Sequence, residues 1–99
     1  MSEGGAPMVF QPQGKIDETT WAAFAEALTA AVERAKTERR DLRIDFSDVP
    51  YMSSRGLRAL TLARKGADGV EIVLAGANAK LREVFAISRY DKIFRVEDG

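Results

Sequence analysis

The sequence contains neither cysteine nor histidine. Without cysteine there is no disulfide framework and no thiolate metal site. Without histidine, the commonest general base, the commonest metal ligand and the usual pH switch are all missing. Zinc would need an all-carboxylate site, which is uncommon. Charge of one sign is also lacking: 15 basic and 15 acidic residues give a formal net charge of zero. Such a chain has no global field to draw it to nucleic acid or to an anionic membrane. No apolar run approaches the length of a membrane span. Met1 to Pro7 is small and polar and lacks the apolar segment of a signal peptide. These residues read as a flexible lead, and a cytoplasmic protein without direct membrane insertion is expected.

What is present is ordinary globular material. Apolar residues make up 45% of the 99 and charged residues 30%, enough to bury one modest core and to argue against a disordered chain. Residues 8–99 therefore read as a single domain.

Periodicity outlines its elements. Met8-Val9-Phe10 is a short edge strand, limited by Pro12 and ending before Gly14. Trp21, Phe24, Leu28, Ala31, Val32 and Ala35 recur at helical spacing, and Trp21 and Phe24 are expected in the core. Asp17 and Thr19 are candidate N-caps for that helix, since their side-chain oxygens can accept from free first-turn N–H groups. The charged run from Arg34 to Asp41 is expected to end it. Leu42, Ile44 and Phe46 alternate with Arg43 and Asp45, a strand signal. A second helix starts near Ser53 or Ser54 and runs to Lys65, with Leu57, Ala59, Leu60, Leu62 and Ala63 forming a broad buried face. Val70 to Ala75 is apolar enough for a central strand. Ala79 to Ile87 forms a third helix, and Ile93 to Val96 a last strand. Strands alternating with helices imply crossover connections and a mostly parallel α/β sheet.

One segment stands apart: Val49-Pro50-Tyr51-Met52-Ser53-Ser54-Arg55-Gly56-Leu57. Adjacent serines sit at a strand-to-helix junction, where function concentrates in parallel sheets. Each serine suits an N-cap, and that is the commoner role. Each also suits phosphorylation, because a phosphate would meet free N–H groups and the positive end of the helix dipole, with Arg55 and Arg58 in reach. Gly56 would let a partner's backbone approach closely. Arg55, Arg58, Arg64 and Lys65 form a basic cluster, but no aromatic residue interleaves it, which argues against nucleic acid. The carboxylates of Asp17, Asp45 and Asp48 have turn, strand or cap explanations and no nucleophile–base pair beside them, so an enzyme is not expected.

These segments, in order, resemble the STAS domain in its bacterial anti-sigma-factor antagonist form. Gly14-Lys15-Ile16-Asp17 is similar to the family's Gly-x-hydrophobic-Asp before the first helix. Leu42 to Ser47 is similar to its central strand, and Val49 to Leu60 to its signature of hydrophobic-Asp-Ser-Ser-Gly-Leu. Val73 to Gly76 with Lys80 to Phe85 is similar to its fourth strand and third helix. The resemblance spans about residues 9 to 97. It implies a STAS-like (SpoIIAA-like) fold, with a small mostly parallel sheet and helices mainly on one face.

It also implies partner switching. The unphosphorylated protein would bind an anti-sigma factor that is also a serine kinase, phosphorylation of the signature serine would release it, and a phosphatase would reset it. Aligning Gly56-Leu57 places Ser54 at the phosphorylated position, with Ser53 as the alternate. Met52, Ser53, Ser54, Arg55, Gly56, Arg58 and Asp17 would border the partner. No cofactor or metal is implied. The chain departs from the family pattern in having Ser53 for the aspartate before the serine and Arg55 for a small residue after it. The sequence stops shortly after its last strand, where many relatives carry a further helix. A second reading stays open: similar domains serve as structural or regulatory subunits of lipid or anion transport systems, without phosphorylation.

Overall fold

A computed structural model of the chain describes residues 6–97; the rest of the expected lead, Met1 to Gly5, lies outside the described residues. The elements are β1 (Met8–Phe10), α1 (Trp21–Glu38), β2 (Leu42–Asp45), α2 (Ser54–Lys65), β3 (Ile72–Ala75), α3 (Ala79–Ile87), α4 (Tyr90–Ile93) and β4 (Arg95–Glu97).

The strands form one sheet in the order β1-β2-β3-β4, and every pairing is parallel. Each crossover steps one strand in the same direction. Right-handed crossovers that all step the same way carry their helices to the same face. The register separates the faces. Phe10, Ile44, Leu74 and Val96 share one row, and Met8, Leu42 and Ile72 another. These rows face the helices and meet Phe24, Leu28, Leu60, Leu81 and Phe85 in the core. Val9, Arg43, Val73 and Arg95 form a row on the opposite face, which no helix among the described residues covers. There Arg43 pairs with Glu97, and Arg95 reaches both Glu97 and Glu71. The apolar stems of such side chains can cover small residues beneath them, and Val73 and Ala75 are buried although they lie outside the main core cluster.

Four expectations are corrected. Helix α1 does not stop at Ala35 but runs on to Glu38. Its last turn is stabilised by ion pairs of Arg34 with Glu38 and of Lys36 with Glu33 and Asp68, so the charged run is its solvated end. Arg39 then closes it in the left-handed conformation, φ 55°. The expected last strand from Ile93 begins later, at Arg95, because Tyr90–Ile93 is a short helix. The face of α2 is narrower than expected: Leu60 and Ala59 are buried, but Leu62 is 56% exposed. Trp21, expected in the core, is half-buried against it.

Candidate functional site

The carboxyl ends of β1 and β2 lead into two loops that lie side by side. Ile16 forms an isolated parallel bridge with Met52. Its N–H donates to the Tyr51 carbonyl (2.9 Å), and its carbonyl accepts from the Ser53 N–H (2.7 Å). Gly14, at φ 83°, donates to the Asp48 carbonyl (2.9 Å). The Gln11 amide reaches Ser47 Oγ and Asp48 Oδ2. This pairing carries Asp17, at the start of one loop's helical turn, beside the serines that open α2.

Asp17 does cap. Its Oδ1 accepts from the Thr19 and Thr20 N–H groups (2.9 and 3.2 Å) and from the Thr19 hydroxyl (2.8 Å). Thr19, the other candidate, supports that cap rather than making its own. The Thr19 hydroxyl is the main reason that the Asp17 carboxyl lies below the usual carboxylate range.

The two serines have different surroundings. Ser53, 5% exposed, is the N-cap of α2, and its Oγ accepts from the Gly56 N–H at 3.4 Å. Ser54 is exposed on the first turn of α2, and its hydroxyl has no partner among the described residues. Arg58 lies one turn further along, also exposed and without an ion pair among the described residues. Arg55 is engaged elsewhere. It pairs with Glu18 (3.1 Å), and its guanidinium lies 5.4 Å from the centroid of the Trp21 ring.

Met52, Ser53 and Gly56, expected to border a partner, are buried in this fold and offer little surface. The reason is local. A Cβ on Gly56 would sit 2.7 Å from Met52 Cγ and 2.8 Å from Ile16 Cγ2. The glycine is thus needed for the chain's own packing of α2 onto the Ile16–Met52 bridge. Ser54, Arg55 and Arg58 are exposed, and Asp17 is half-buried. Tyr51, 51% exposed, stands beside them. Sequence reasoning passed over Glu18 as the partner of Arg55. The two come from different elements, and only the bridge brings them together.

Alongside this surface, α1 and α2 leave a groove of about 460 Å³ between them. No helix among the described residues is long and apolar enough to cross a membrane.

Comparison with known proteins gives a consistent result. A STAS-domain containing protein of Pseudomonas aeruginosa (strain UCBPP-PA14) is 28% identical over 97 residues, covering 96% of this chain and 92% of that protein. The crystal structure of a candidate anti-sigma factor antagonist from Thermotoga maritima superposes with a TM-score of 0.79 at 17% identity, covering 92% of this chain and 78% of that one. The anti-sigma factor antagonist SpoIIAA, solved in its unphosphorylated form, gives a TM-score of 0.60 at 13% identity, with 86% of each chain covered. These solved structures share the fold described above. The family model described as the STAS domain matches residues 2–99, and the chain belongs to that family.

Proposed function

We propose that this protein is an anti-sigma-factor antagonist that binds an anti-sigma factor with serine-kinase activity through the surface around Ser54, and that phosphorylation of Ser54 releases the partner. The observation that carries this reading is the unequal setting of the two serines. Ser53 is buried and occupied by its cap, whereas Ser54 is exposed, internally unbonded and on the first turn of α2. A kinase can reach the Ser54 hydroxyl without unfolding the helix. A phosphate there carries about −1.5 to −2 charges. It would meet the positive end of the α2 dipole, with Arg58 four residues along the same helix. The same charge would oppose any partner surface matched to a neutral hydroxyl. Structural neighbours described as anti-sigma factor antagonists, one of them solved in an unphosphorylated form, support the reading. In this scheme Asp17, Arg55, Arg58 and Tyr51 frame the contact, and a phosphatase restores it.

The test is a pull-down from the native cell extract with wild type, Ser54→Ala and Ser54→Asp as baits. Wild type and Ser54→Ala are expected to retain a protein carrying an ATP-dependent serine-kinase domain, and Ser54→Asp to lose it. Retention of one transporter component by all three baits would overturn the switch and make the domain a structural subunit.

A further inference from the structure

The groove between α1 and α2 has walls, a floor and a direction. Trp21, Ala25 and Thr29 line it from α1 at four-residue spacing, one stripe of that helix. Arg58, Leu62 and Ala63 line it from α2, and the buried Val32 and Ala59 make its floor. The groove exists because the facing positions in its middle are small: Ala25 and Thr29 on one side, Ala59 and Ala63 on the other. Large side chains there would have filled the seam. Its volume of about 460 Å³ falls within the roughly 300–1,000 Å³ of small-molecule sites. Leu62 is left 56% exposed at the rim.

The direction comes from charge. Both helices follow parallel strands, and the Arg55–Trp21 contact shows that their N-termini lie at the same end. That end holds Arg55 and Arg58 together with the positive ends of both helix dipoles. The other end holds Glu33 and Gly66. From Trp21 to Val32 the wall rises about 16 Å at the helical step. The groove is therefore an apolar slot with one cationic end. Arg55 is already paired with Glu18, but Arg58 has no ion pair among the described residues.

We propose that this groove binds a single-chain carboxylate amphiphile, with its chain along Trp21, Ala25 and Leu62 and its carboxylate on Arg58. The apolar walls stabilise the chain by removing it from water. The guanidinium supplies a charge-assisted, bidentate contact that an alcohol or an ammonium head cannot use fully. The proposal does not require phosphorylation of Ser54, although Arg58 would serve both the groove and the surface around Ser54.

The test uses the full chain titrated with dodecanoate below its micelle concentration. The readout is the emission of Trp21, the single tryptophan. A saturable blue shift is expected, with dodecanol and dodecyltrimethylammonium binding about tenfold more weakly or worse. Leu62→Gln changes an exposed side chain, and a melting curve by circular dichroism should match wild type. It is expected to weaken dodecanoate and dodecanol alike, by about fivefold. Arg58→Ala is expected to reduce dodecanoate to the level of dodecanol and to leave dodecanol unchanged. No saturable shift, equal binding of the ammonium, or unchanged affinity in either folded variant would overturn the proposal. Binding to phosphatidylglycerol vesicles without binding to free dodecanoate would overturn it too, because the surface would then be a membrane contact.

Discussion

Neighbouring hydroxyls in this chain have different fates because the backbone turns between them. Ser53 points inward and holds the Gly56 N–H; Ser54 points out. Removing the first should cost stability and removing the second should not. Ser53→Ala is expected to lower the unfolding free energy by about 0.5–1 kcal/mol, the low end for a cap because the bond is long. Ser54→Ala should stay within about 0.5 kcal/mol of wild type. Urea unfolding of the two variants decides this, and equal losses would dismiss the division of roles. The sequence marked both serines but could not separate them, since either fits an N-cap. What separates them is the bridge between Ile16 and Met52, which fixes Ser53 against the first loop. The same bridge explains why Gly56 and Met52 are buried in this fold.

At the scale of elements, periodicity located the three long helices and their intervening strands, because each presents a repeating apolar face to one core. It failed where a segment is held by a few specific contacts and not by a repeating apolar stripe. Helix α4 has no buried residue and so no stripe to read. It is anchored instead by Tyr90, whose hydroxyl donates to the Leu57 carbonyl (2.7 Å) and lies 2.7 Å from the Thr61 hydroxyl. The Tyr90 ring also stacks near Phe85 and Phe94. Tyr90→Phe keeps the ring contacts and removes the hydroxyl. It is expected to cost about 1 kcal/mol, read as a lower urea midpoint at an unchanged slope. An unchanged midpoint would show that the aromatic stack alone holds the element. The overrun of α1 past Ala35 has a related cause: ion pairs to Glu33, Glu38 and Asp68 need no apolar face.

For the whole molecule, the absence of histidine leaves a wide plateau of stability against pH. Asp17 and Asp45 are both held below the usual carboxylate range, chiefly by the Thr19 hydroxyl and by the Ser47 backbone N–H respectively. Folding thus favours their charged forms. Their contribution is present above about pH 4, where unfolded carboxylates titrate, and is lost as pH falls through the depressed values. Lys36 is shifted up, first by its hydrogen bond with Asp68. Its contribution is full below about pH 10 and is lost as pH rises through the raised value. Urea midpoints measured across pH should therefore be level from about pH 5 to 9 and fall on both sides. Asp17→Asn keeps an acceptor oxygen but not the titration, so it should reduce the acid-side fall. A step near neutral pH would contradict this account, because no side chain present ordinarily titrates there.

By itself, the sequence determined the fold class and the order of the strands and long helices, and it singled out the segment around Ser53 and Ser54. Those follow from local spacing and from the one-directional rule for parallel crossovers, which leaves few other arrangements. It also marked Asp17, Ser54 and Arg58, because caps, hydroxyls and cations at a helix start are chemically distinctive. The tertiary structure alone decided which serine is buried, that Arg55 belongs to Glu18 and Trp21, and that Trp21 and Leu62 border a groove rather than fill a core. Each of these depends on where two helices distant in sequence come to lie on one sheet. Local spacing carries no information about that distance, so only the packed fold could supply it.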